Sequence, residues 1–561
     1  MSETYDLVIV GSGWYGLGAA RAYILSHPDQ SITVLDSNNT VGGTWSKERL
    51  YPGLKSNNML GSYEFPDFPM DGERYGVQPM SHIPGAVLHR YLTDFSEHYR
   101  IYERLQFNST VDAIESTSLG WTLTVKTLGG KRKLSTTKLI LATGLTSTPS
   151  MPCYKGAESF GRPLFHAKDF CRRAEEVKGV EHVVVIGAAK SAYDVAYEMA
   201  KSGATIDLIV RPNGNGPVWI APRHVTPLRY RTDTIFNMRI LTWFSPCPWG
   251  SEDGYGFARR FLESTSVGKW IVRSFWSLIG HDILQQNQYD DHPELKKLKP
   301  WNSIFWTGSG LSILNYSSSF FDMVRNGKVR VHIENVERLA RGQVILENGK
   351  VLDTDAVICS TGWKKESNVT FSGLGKAGLN LAADAQEQEN LNLEYDAIVL
   401  AQFPLLKAQP VLRPGVKSKT AVDPLRYYRF MVPSTMVAKR NFAFAGMISS
   451  VSTSVCANAQ GLWITAYFDG RLERQAEIQE DIVDGIMAHT QWGKWRYPCG
   501  YGASLPDLVF ESIPYVDMLL KDVGICHQRK RSWLTELFSA YTPEDYKGIL
   551  GEYRIKSCNI S

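Results

Sequence analysis

Short apolar runs, each closed by a glycine or another small residue, recur along this chain. Residues 7–10 (LVIV) are apolar in succession; Gly11-Ser12-Gly13-Trp14-Tyr15-Gly16 follows, and then a helix-like run, LGAARAYIL. SITVLD (31–36) is a second strand pattern, WTLTVK and KRKLSTTK (121–138) read as a hairpin, and LILATG (139–144) ends in a small-residue turn. The pattern restarts at 183 with VVVIG, a small-residue turn, the helix-like SAYDVAYEMA, and TIDLIV at 205–210. DAVICSTGW (355–363) and NFAFAGM (441–447) are further strand patterns. Continuous apolar strands alternating with helices predict parallel sheets covered on both faces, so the fold class is α/β.

Both strand–turn–helix units have the spacing of a dinucleotide site. In the first, Gly11 permits the tight turn, Gly13 lets the backbone approach a pyrophosphate, and Gly16 lets helix and strand pack closely. The helix N-terminus would hold the phosphates. Asp36, 25 residues after Gly11, stands where a ribose hydroxyl would need an acceptor. In the second unit Gly187 opens the turn, and Lys190 and Ser191 begin the helix that would face a second nucleotide. Ala189 occupies the middle-glycine position; its methyl group would push a pyrophosphate outward or force the turn open, but alanine is the least disruptive replacement and is read as tolerated, with weaker cofactor binding. Arg211, 24 residues after Gly187, replaces the carboxylate of an NAD site and can pair with a 2′-phosphate, which favours NADPH over NADH.

The segment Val41-Gly42-Gly43-Thr44-Trp45 resembles the GGTW element of class B flavin-dependent monooxygenases, the family of flavin-containing (dimethylaniline-type) and Baeyer-Villiger monooxygenases. Tyr51 to Asn57 and FPDFPMD (65–71) resemble its YxxLxTN and DFPM elements, with Ser56 in place of Thr. The resemblance implies that FAD lies against Gly43, Thr44, Trp45, Thr143 and Gly144 and that Asn57 sits beside the flavin ring as the catalytic position. Phe160, His166 and Phe170 fall in register with the fingerprint FxGxxxHxxxY/F, although Gly161 is one place early; a histidine there is read as structural. The implied architecture is two Rossmann-like domains, with the NADPH domain inserted into the FAD domain. Residues 1–160 would form the first part of the FAD domain, 161–350 the NADPH domain with an irregular insertion at about 213–299, and 351–561 the rest of the FAD domain with C-terminal surface helices. DAVICSTGW would mark the return to the FAD fold. A helix starting at residues 457–461, which include Gln460, would face the reduced flavin with its N-terminus.

The implied activity is insertion of one oxygen atom of O2 into a small organic substrate at N, S or C, through a flavin C4a-(hydro)peroxide formed with NADPH. Baeyer-Villiger oxidation of a ketone is the alternative. A flavin-dependent NAD(P)H reductase or a non-catalytic flavoprotein is more remote.

Composition narrows the field. Apolar residues are 43% and charged residues 21% of 561, ordinary for a globular chain, and a net charge of +4 is too small to indicate nucleic acid. The eight cysteines include no CxxC pair, which argues against zinc and against a disulfide-reductase mechanism. No apolar run reaches the about 18 residues of a membrane span, and no signal peptide opens the chain. A cytoplasmic location is expected, with homo-oligomerisation left open. Cys558-Asn-Ile-Ser formally fits a prenylation box, with a polar residue where an aliphatic one belongs.

Overall fold

The computed structural model describes residues 3–225, 230–365, 369–374, 378–382, 384–411, 425–502 and 504–558. Strand β1 (Glu3–Val10), helix α1 (Trp14–Ser26) and strand β2 (Ile32–Leu35) open the chain, and a short strand β3 (Lys55–Met59) follows. Strand β4 (Gly130–Leu141) closes the expected hairpin with Gly120–Thr127. β1 lies between β2 and β4, parallel to both. Tyr63 and the FPDFPMD segment brace α1: Trp14 packs 4.7 Å from Tyr63 and 4.9 Å from Phe65, and Asp67 pairs with Arg21.

A second, five-stranded parallel sheet is centred on β5 (His182–Ile186), followed by helix α2 (Lys190–Lys201) and strand β6 (Thr205–Val210). α2 buries Ala192, Tyr193, Ala196, Tyr197, Met199 and Ala200, a helical stripe that covers this sheet.

The insertion is more regular than its sequence indicates. It contains α3 (Arg239–Thr242), α4 (Gly256–Ser264) and the 22-residue α5 (Ser266–Asn287), and it returns through strand β7 (Leu311–Ile313), which pairs with Trp219–Ala221. α5 buries Val272, Trp276, Ile279 and Ile283, and Trp276 packs against Phe236, Phe305 and Phe510. The insertion therefore shares a core with the C-terminal part of the chain.

Strand β8 (Ala356–Cys359), the core of DAVICSTGW, pairs with β5 and with Leu164–His166. The expectation that the first fold resumes at 351 is corrected: β8 belongs to the second sheet, and the first sheet is rejoined at Thr370–Ser372. The two crossing segments run antiparallel, with Ser150 N donating to Gly362 O (3.0 Å) and Lys364 N to Thr148 O (2.9 Å). The crossings thus lie at 148–150 and 361–364, rather than at 160 and 350. Strand β9 (Phe442–Phe444) then pairs with β4, as expected for a late strand of the first unit.

Helix α6 (Thr453–Phe468) crosses α1 backbone to backbone: a Cβ on Gly461 would lie 2.5 Å from Gly18 O. α6 begins at Thr453, four residues before the expected start, so residues 457–461 are inside the helix and buried. Helix α7 (Ser512–Val523), expected on the surface, is buried at every position except Lys521. Its acids are paired inside: Asp517 with Arg239 of α3, and Asp522 with Arg429. Helix α8 (Trp533–Phe538) packs on α3, where Glu536 accepts from Arg239 Nε at 2.7 Å. Cys558 ends the last helix, and the remainder of the prenylation box lies outside the described residues.

Candidate functional site

The three glycines of the first turn are there for different reasons. Gly11 has φ +109°, and a Cβ on it would lie 2.2 Å from Ala142 O; one on Gly16 would lie 1.9 Å from Gly11 O. Both are required by the protein's own packing. Gly13 is extended (φ −80°, ψ −173°), and a Cβ there would meet only Gly43 Cα, at 3.7 Å. The bare faces of Gly13 and Gly43 therefore leave an opening at the N-terminus of α1, where backbone N–H groups favour an anion. Thr44 Oγ1 and Thr146 Oγ1, 3.1 Å apart, join this edge to the turn containing Thr143 and Gly144. Trp45 is buried and donates from Nε1 to Tyr63 OH. The resemblance assigns the diphosphate of FAD to this notch.

Asp36 first stabilises the turn itself. Its Oδ2 accepts from Ser12 N (2.7 Å) and Ser12 Oγ (2.6 Å), and its Oδ1 accepts from Asn38 N (2.9 Å). A carboxylate has about four acceptor directions, so only a small share remains for a ligand hydroxyl.

In the second unit, the cap of α2 is Ala189 with φ −98° and ψ 173°, the same extended conformation as Gly13. The methyl does not force the turn open, as a tolerated alanine requires: this conformation suits any residue, and Ala189 is exposed. Gly187 retains the crowding of a strand-end glycine, with Ser360 O 2.5 Å from a Cβ built on it. Ser191 is exposed at the start of α2. Lys190 pairs with Asp194 and lies over the Tyr316 ring at 4.7 Å. Arg211 is exposed at the end of β6 and holds no carboxylate among the described residues.

Asn57 is exposed on β3, between the two units. Its Nδ2 donates to Ser312 Oγ of β7 at 3.4 Å, and its neighbour Asn58 donates to Val451 O at 3.0 Å. β3 is held from the second unit as well. Asn315 Nδ2 donates to Lys55 O and Ser56 O, and buried Asp233 accepts from Met59 N (3.0 Å) and Ser62 Oγ (2.7 Å). Tyr51 OH donates to Asp194 of α2 at 2.9 Å. Behind β3, His82 is paired in register with Met59, and burial together with Arg223 pushes it down to about 4. His166 is buried edge-on against Trp363, as a structural histidine would be.

The start of α6 at Thr453 places its N-terminus beside Val451 and Asn58. Gln460 does not face this site. It is fully buried, accepts from Gly446 N (2.9 Å) and donates to Tyr515 OH (2.8 Å), so its expected contact with the cofactor is corrected.

One wall has no sequence motif at all. Asp507 is fully buried, and its Oδ2 accepts from Ser309 N (2.9 Å) and Ser309 Oγ (2.8 Å), two residues before β7; burial raises its carboxyl above the usual range. Leu508 N donates to Ser449 O at 2.7 Å. Thus the segment at Asp507 and Leu508 clamps β7 and the 449–451 loop around Asn57 and Asn58, although Ser309 and Asp507 are 198 residues apart in sequence.

Comparison with known proteins places this geometry. A family model described as pyridine nucleotide-disulphide oxidoreductase matches residues 8–238. The FAD-dependent monooxygenase resA of Aspergillus sclerotiorum is 32% identical, over 98% of both chains. An FAD-dependent monooxygenase of Pyrenophora dematioidea is also 32% identical, over 95% of this chain and 100% of its own. The solved polycyclic ketone monooxygenase from Thermothelomyces thermophila shares the fold, with TM-score 0.60 at 17% identity over 99% of this chain and 88% of that one. With two strand–turn–helix units opening on glycine and end-to-end similarity of this extent, the chain is an enzyme that belongs to the FAD-dependent monooxygenase family.

Proposed function

We propose that the protein uses NADPH and O2 to insert one oxygen atom at nitrogen, sulfur or electron-rich carbon of a small organic substrate. The observation that carries this reading is the joint suspension of β3: the strand bearing Asn57 is hydrogen-bonded both to the first unit and, through Tyr51, Asn315 and Ser312, to the second. A cofactor in the Gly13–Gly43 notch and a nucleotide at the start of α2 would thus meet across a fixed frame. Bound FAD, reduced by the nicotinamide, supplies the oxygen-activating chemistry.

The protein's own residues bind, orient and exclude water. Gly13 and Gly43 admit the diphosphate to the N-terminus of α1, and Ser12 with Asp36 holds that turn in shape. Ser191 and the free N–H groups at the start of α2 would receive the second diphosphate. Arg211, exposed at the end of β6, would pair with a 2′-phosphate, which favours NADPH as the donor. Asn57, exposed on β3, would be a neutral hydrogen-bond partner at the reaction face, and the bonds of Asp507 to Ser309 hold β7 beside it.

The test is anaerobic mixing of the FAD-loaded protein with NADPH and, separately, NADH, followed by oxygenated buffer and product analysis with an amine, a thioether and a ketone. Faster bleaching by NADPH and oxygenated amine or thioether are expected. Ester from the ketone alone would establish the Baeyer-Villiger reaction instead, and a flavin that neither nucleotide reduces would overturn the reading.

A further inference from the structure

Every exposed phenylalanine and tryptophan among the described residues lies on three helices: Phe257 and Phe261 on α4, Trp270 on α5, and Trp533 and Phe538 on α8. The exposures are high for such side chains: 81% for Phe257, 66% for Trp270 and 67% for Trp533. Val267, Leu278 and Leu534 extend the same outward faces. These faces are surplus to the core, because α5 already buries Val272, Trp276, Ile279 and Ile283 on its inner side. Exposed apolar area grouped in this way marks an interaction surface.

The three helices are neighbours. α4 and α5 meet at a tight corner, where a Cβ on Gly268 would lie 2.2 Å from Phe261 O. α3 lies between α4 and α8: Arg259 of α4 donates to Thr242, and Arg239 of α3 donates to Glu536 of α8. Gln528, leading into α8, donates to Asp253 O, just before α4. The exposed aromatic side chains are therefore carried by helices of one connected layer.

The charge on this layer has one sign. Arg260, Lys269, Arg273 and Arg531 hold no carboxylate among the described residues, and residues 255–278 include no exposed acid. Glu263 is partly buried, and burial pushes its carboxyl up to about 8, so it is largely protonated at neutral pH. Two copies related by a twofold axis would bring these cations together, which disfavours self-association. An anionic bilayer surface complements both features: the interface accommodates Trp and Phe rings, and the headgroups accept Arg and Lys. Among the described residues no helix is long and apolar enough to cross a membrane, so contact would be peripheral.

We infer that the α4–α5–α8 face is a docking surface for an anionic lipid bilayer, on which Trp270, Phe257 and Trp533 insert at the headgroup level while Arg260, Lys269 and Arg273 bind the lipid charge. The inference does not depend on the oxygenation reaction.

The test is sedimentation of the FAD-loaded, unlipidated full chain with vesicles of phosphatidylcholine containing about one-third phosphatidylserine, compared with phosphatidylcholine alone. Binding is expected to the anionic vesicles only, to fall by at least about tenfold in 0.5 M NaCl, and to be accompanied by a blue shift of tryptophan emission. Phe257→Ser/Trp270→Ser and Arg260→Glu/Arg273→Glu alter only exposed side chains and should each reduce binding by a similar factor while flavin content is unchanged. Failure to sediment with either vesicle overturns the proposal. So does light scattering that shows a dimer in the parent chain and a monomer in Phe257→Ser/Trp270→Ser without vesicle binding, since that assigns the face to a second copy.

Discussion

Gly13 and Gly16 are three residues apart on one turn, yet substitution should separate them cleanly. Gly16→Ala places a methyl 1.9 Å from Gly11 O and should destabilise the fold by at least about 3 kcal/mol, read as a large loss in Tm. Gly13→Ala should keep stability within about 1 kcal/mol, because its backbone is extended, but lower FAD affinity by at least about tenfold by equilibrium titration. Ala189→Gly should alter KM for NADPH by less than about threefold, since the exposed methyl already sits on a turn of the same shape. The GxGxxG spacing marked all three glycines alike; only the packing distances show that the fold itself requires Gly11 and Gly16 and not Gly13. A fourth residue governs acid behaviour. His489, enclosed by the Trp249 and Phe430 rings, is pushed by burial, aided by Arg429, down to about 3. The unfolded chain therefore binds this proton first: the contribution to stability is intact above pH 6.5 and is lost as pH falls towards about 3. Urea melts across this range should show a pH slope smaller by about one proton, roughly 1.4 kcal/mol per pH unit, in His489→Phe.

Among the elements, the helices of the insertion and of the C-terminal third were the hardest to read from sequence, for opposite reasons. α5 is apolar on its buried face and also at Val267, Trp270 and Leu278 outside, so its 3.6-residue period is blurred and the segment reads as irregular. α7 carries Asp517 and Asp522 and reads as a surface helix, but both acids are neutralised inside by arginines from distant parts of the chain. Arg239 carries the greatest load, pairing with Asp517 and Glu536 at once. Arg239→Met should cost about 3–5 kcal/mol, because it leaves two buried carboxylates without a cation. Differential scanning calorimetry would measure this, and a loss below about 1 kcal/mol would show that the acids find another partner.

At the scale of the whole molecule, the second unit is tied into the first by paired crossings and by the contacts of β3. Tyr51→Phe combined with Asn315→Ala removes hydrogen bonds of about 1 kcal/mol each across that junction. FAD content should be unchanged, while anaerobic reduction by NADPH should slow by at least about fivefold; an unchanged rate would mean that alignment of the two nucleotides does not depend on β3. By itself the sequence determined the α/β class, both glycine turns, the hairpin and the late strand at 442–444. It could do so because strand runs, turn residues and helix starts are local and leave a pattern within about twenty residues. Only the tertiary structure decided the rest: that 356–359 belongs to the second sheet, that Gln460 points into the core, and that Asp507 clamps the strand facing Asn57. Those outcomes depend on which apolar faces cover one another and which buried polar groups find partners, and contacts closed far along the chain, 198 residues for Ser309 and Asp507, leave no periodic trace in it.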